Sequence, residues 1–96
     1  MELILHVRGA DSEKLRKILL EDELVSRANI VFKDAKVLGK EGYYVRVLGS
    51  EEQCKKALEL SKDLAEEVTG AEREKVVSIL REEDERMLSG FSGIFR

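Results

Sequence analysis

The stretch Asn29-Ile30-Val31-Phe32-Lys33-Asp34-Ala35-Lys36-Val37-Leu38-Gly39-Lys40-Glu41-Gly42-Tyr43-Tyr44-Val45-Arg46-Val47-Leu48 decides the fold class. Two runs rich in β-branched and aromatic residues flank Gly39-Lys40-Glu41-Gly42, a four-residue loop whose glycines supply the positive φ that a hairpin needs. The second run alternates, with Tyr43, Val45 and Val47 on one face and Tyr44, Arg46 and Leu48 on the other. The first run reads as a strand from Asn29 to Leu38, but Lys33, Asp34 and Lys36 interrupt both of its faces. Edge strands and bulged strands tolerate such charges, so this run reads as one or the other.

Towards the N-terminus, Leu3 to Arg8 reads as another strand that Gly9 breaks. Asp11 or Ser12 is placed to cap a helix carrying Leu15, Ile18 and Leu19 on one face and ending between Leu24 and Arg27. Towards the C-terminus, Ser50-Glu51-Glu52-Gln53 is a capping box. It opens a helix whose stripe runs Cys54, Ala57, Leu58, Ser61, Leu64, Ala65 and Val68. Thr69-Gly70-Ala71-Glu72 is a second box, and Gly70 separates this helix from a last one over Ala71 to Leu88. A single helix from Ser50 to Leu88 would carry that glycine inside it, at a cost of about 1 kcal/mol. Between Leu80 and Met87 the last helix holds only Arg81-Glu82-Glu83-Asp84-Glu85-Arg86, a segment expected to stay solvated.

Two strand–glycine–helix units joined by a hairpin give an α+β fold on the ferredoxin-like (split βαβ) plan. The expected form is a βαββα core with an additional C-terminal helix, a single domain over residues 1–88, and a short aromatic tail over 89–96. The fourth strand of the plan is missing from this reading, because a helix follows the second helix. A right-handed crossover would set the third strand beside and parallel to the first. One sheet face, with Ile4, His6, Arg8, Tyr44, Arg46 and Leu48, and the edge of the first strand would then stand open.

Composition narrows the function classes. Charged residues make up 39% of the 96, and Pro and Trp are absent, a balance that resembles proteins of hot environments. A net charge of −3 disfavours non-specific attraction to a phosphate backbone. One cysteine excludes an intramolecular disulfide and any multi-thiolate metal site. The opening residues carry no signal-peptide pattern and no stretch has the length of a membrane span, so the expectation is cytoplasmic with no membrane association.

No residue set makes a catalytic, metal or cofactor site, and none is assigned. His6 is the sole histidine, with no second His or Cys to share a metal, and reads as a surface or interface residue. Cys54 lies on the apolar stripe of its helix and reads as core. Gly9 and Gly49 precede helix starts, but Asp11, Glu13, Glu51 and Glu52 occupy those ends and repel anions. His6, Arg8, Tyr44 and Arg46 form a basic face with one aromatic, the basis of an alternative reading as an RNA-binding domain. Phe91, Ile94 and Phe95 concentrate apolar surface in the tail, which is expected to dock on its own domain, on a neighbouring subunit or on another protein by strand addition. The leading expectation is therefore a non-enzymatic, self-associating assembly or protein-binding module that uses the open face, an edge strand or the tail. A metabolite-binding regulator with its site at a subunit interface is a further alternative.

Overall fold

In the hairpin, Asn29 meets Leu48 and Asp34 meets Tyr43 in a continuous antiparallel register. This computed structural model describes residues 1–94, with side chains through Arg86. The first strand of the hairpin is shorter than its sequence suggests. It ends at Asp34, and Ala35–Leu38 forms a 3-10 turn whose Lys36 amide donates to the Asp34 carboxylate at 2.9 Å. The charges at Lys33, Asp34 and Lys36 thus mark a strand end, as well as an edge. Gly42 closes the loop with φ at +86°, and a Cβ there would stand 2.2 Å from the Val7 carbonyl oxygen. Only glycine lets the loop lie against the end of the first strand.

The elements in chain order are β1 (Glu2–Val7), α1 (Gly9–Glu21), β2 (Asn29–Asp34), β3 (Tyr43–Leu48), α2 (Glu51–Ser61), β4 (Ala65–Glu67) and α3 (Gly70–Ile94). A second 3-10 turn, Val25–Arg27, leads into β2. The strands form one sheet in the order β2-β3-β1-β4, with every neighbouring pair antiparallel. The chain is α+β, a four-stranded antiparallel sheet with three helices among the described residues.

Three expectations change here. The third strand runs antiparallel to the first. The crossover through α1 instead relates β1 to β2, and β3 inserts between them. A fourth strand does exist, because α2 stops at Ser61 and Ala65–Glu67 pairs with Leu5, His6 and Val7. Its three residues continued the helical spacing of α2, and only the waiting edge of β1 makes them a strand. Finally, α3 runs through Leu88 to Ile94, so the 89–94 part of the expected tail is helical in its backbone.

The apolar residues divide between the two faces of the sheet. Leu3, Leu5, Val7, Val45 and Val47 meet Leu15 and Leu19 of α1 and Cys54 and Ala57 of α2. On the other face Ile4 and Tyr44 meet Val76, Val77 and Leu80 of α3, together with Val68 and Ala35. The face expected to stand open is covered, because α3 carries its own short apolar stripe and lies across it.

Candidate functional site

The face beneath α3 holds most of the polar residues singled out from the sequence. Tyr44 is fully buried, and its hydroxyl donates to Glu72 Oε2 at 2.6 Å. Lys40 Nζ reaches the same oxygen at 2.5 Å. Burial first, then the bond to Glu72, pushes the Tyr44 phenol up to about 12. The Lys40 and Tyr44 bonds hold the Glu72 carboxyl below its ordinary value. Arg46 is buried too, and its guanidinium meets Asp84 at 3.2 Å while its Nε finds no partner among the described residues.

The charged segment expected to be solvated also serves the interface. Glu83 pairs with Lys33 at 2.5 Å, Asp84 with Arg46, and Arg81 with Glu2 at 3.3 Å. Glu72, Glu83 and Asp84 were invisible as functional positions in the sequence. Glu72 read only as part of a capping box and Glu83 and Asp84 only as solvated helix charges, and nothing local shows that a basic sheet face lies opposite.

His6 and Arg8 sit at the end of β1, away from any such enclosure. His6 Nε2 lies 2.7 Å from the Glu41 carbonyl oxygen, to which the Nε2–H tautomer donates, and its ring is 5.3 Å from that of Tyr44. Arg8 is exposed and pairs with Asp11 at 3.2 Å. Two open hollows flank these residues, one reaching Lys62 and Glu66 and the other Lys40 and Glu41. Both mix cations with carboxylates, so neither selects a charge. The structure therefore separates the expected basic face: Tyr44 and Arg46 lie under α3, while His6 and Arg8 remain at its border. The side chains of Phe91 and Ile94, and the whole of Phe95, lie outside the described residues.

The two edges of the sheet differ more than its faces. At one edge β4 pairs with only the last three residues of β1. The rest of β1 is closed by other groups: the Val68 amide donates to the Ile4 carbonyl at 2.8 Å, and Arg73 donates to the Glu2 carbonyl at 2.7 Å. The edge expected to be unpaired is thus sealed. The opposite edge is β2, six residues with an unbroken register and no bulge. No strand pairs with its outer side among the described residues. Ile30, Val31, Phe32 and Lys33 are all half-buried, capped from the side of α1 by the Arg16 guanidinium, which lies 4.6 Å over the Phe32 ring. Comparisons with protein-family models, curated proteins and solved structures return no match to this chain.

Proposed function

We propose that this chain is a cytoplasmic, non-enzymatic assembly module of the ferredoxin-like (split βαβ) plan that self-associates through the outer edge of β2. The carrying observation is the contrast between the edges: on one side β4 and amide and guanidinium donors together close β1, while on the other β2 offers six residues to which no strand pairs on the outer side among the described residues. An edge strand presents a row of free backbone donors and acceptors, and proteins that stay monomeric disable it with proline, bulges or outward charges. β2 has no proline or bulge, and its single lysine is drawn off the edge into the pair with Glu83. The strand-order reading rests on β1-α1-β2 and β3-α2-β4 as the two crossover units.

The reading of the basic face as an RNA platform has lost its stacking residue to burial, since Tyr44 is covered by α3 and bonded to Glu72. Self-association is therefore the reading the geometry supports best. Light scattering of the full chain over a range of concentrations tests it. The expected result is a mass of twice the 10.9 kDa chain at high concentration. A mass of 10.9 kDa throughout overturns the proposal. A chain ending at Leu88 keeps the dimer if β2 is the contact, and loses it if the last turns of α3 are.

A further inference from the structure

We infer that β2 pairs with β2 of a second copy, antiparallel, about a twofold axis through Val31; this inference rests on the self-association reading above. Side-chain parity along β2 fixes where the axis can lie. Ile30 and Phe32 pack on the α1 and α2 side of the sheet, and Val31 packs on the α3 side. A twofold axis perpendicular to the sheet joins two identical edges antiparallel, with the same face up in both copies. Residues directly opposite each other then point to the same side. Only residues of equal parity can meet, which leaves an axis through a residue and excludes one between residues.

Side-chain chemistry chooses among the centres. With the axis at Val31, valine faces valine, Ile30 faces Phe32 twice, and Asn29 faces Lys33 twice. Apolar groups meet apolar groups on both faces, and no like charges are opposed. With the axis at Phe32, Val31 faces Lys33 and Ile30 faces Asp34, so each charge meets an aliphatic group. The run Asn29-Ile30-Val31-Phe32-Lys33 is symmetric in polarity about its centre, as an isologous edge requires. The product is one continuous eight-stranded sheet, with both α3 helices on the same face.

Cysteine scanning along β2 tests the register. Directly opposed residues of antiparallel strands have Cα atoms roughly 4.5–5.5 Å apart, within reach of a disulfide. Residues diagonal to one another are about 7–8 Å apart, at or beyond that reach. Val31→Cys and Phe32→Cys are oxidised with oxidised glutathione beside the unaltered chain, whose buried Cys54 serves as the blank. The expected result is a disulfide-linked dimer from Val31→Cys alone, with light scattering of the unaltered chain also giving a dimer. A linked dimer from Phe32→Cys in place of Val31→Cys overturns the register and leaves the self-association reading standing. A dimer by mass with no crosslink from either variant, and no protection from hydrogen exchange of the β2 amides that face away from β3, overturns the β2 contact. A monomer by mass overturns both readings. Folding of each variant is checked by the exchange protection of β1 and β4, neither of which pairs with β2.

Discussion

The two faces of the sheet are held by different forces. On the first, α1 and α2 close over Leu5, Val7, Val45 and Val47, and no ion pair joins either helix to the sheet among the described residues. On the second, α3 seats Val76, Val77 and Leu80 and adds four ion pairs: Lys40 with Glu72, Arg81 with Glu2, Lys33 with Glu83, and Arg46 with Asp84. Apolar burial responds little to salt or to carboxylate protonation, whereas paired charges respond to both. One sheet therefore carries a layer that is fixed and a layer whose hold depends on solution conditions.

The largest effect should come from the first face. Leu19 is fully buried between α1 and the sheet, and Leu19→Ala removes its side chain from a closed core. Urea denaturation should show a loss of about 2–5 kcal/mol. Leu80→Ala, in the smaller seat beneath α3, should cost less and should show in hydrogen exchange as opening of α3 while β1 and β3 stay protected. Equal loss of protection across the molecule in both variants would make the two faces one cooperative unit and break the comparison.

The pH dependence should be confined to the second face, and its sign follows from two groups. Glu72 is held below its ordinary value by its bonds from Lys40 and Tyr44. Its contribution is present above the ordinary carboxylate range and is lost as pH falls through the lowered value. Tyr44 is raised to about 12. Its contribution is complete below the ordinary tyrosine value, near 10, and is lost as pH climbs through about 12. Protection of α3 should accordingly fall at both ends of a pH series while α1 and α2 hold. Glu72→Gln should remove the dependence at the acid end, at a cost of no more than about 1 kcal/mol near neutrality because the carboxylate is partly exposed. An acid limb unchanged in that variant would assign it to the other carboxylates of α3.

How much of this was legible in the sequence follows the same division. β1, β3 and the first-face stripe of Leu15, Leu19, Cys54 and Ala57 are written in local periodicity and glycine placement and stand where that pattern puts them, whereas β2 begins where expected and stops four residues short, at Asp34. β4 was not legible: Ala65, Glu66 and Glu67 have no strand preference, and pairing with β1 overrides their helical spacing. Neither was the role of α3. The charges at Glu72, Glu83 and Asp84 look solvated because a helix cannot reveal what lies across from it, and their partners are distant in the chain. The open edge was half legible, since the broken alternation of β2 marked either an edge strand or a bulge, yet nothing local showed that β1 would be sealed and β2 left without a strand on its outer side among the described residues.

The smallest effect concerns Arg46, and it probes how well the ionic layer is built. Its side chain is 5% exposed while that of its partner Asp84 is 57% exposed, and the guanidinium Nε has no acceptor among the described residues. A cation taken out of water and met by one half-solvated carboxylate recovers only part of its desolvation cost. Methionine has similar reach, no charge and enough freedom to fill the same space beside Val31, its cross-strand neighbour. Arg46→Met should therefore change stability by no more than about 1 kcal/mol, and in the stabilising direction where packing is good. Asp84→Asn, which leaves the buried cation with a weaker partner, should cost more than Arg46→Met despite altering an exposed residue. Urea denaturation of both variants at low and high salt reads this ordering, and the salt dependence should shrink in Arg46→Met. The reverse ordering would mean that the guanidinium itself seats α3, and the second face would then owe more to one buried charge than to Val76, Val77 and Leu80.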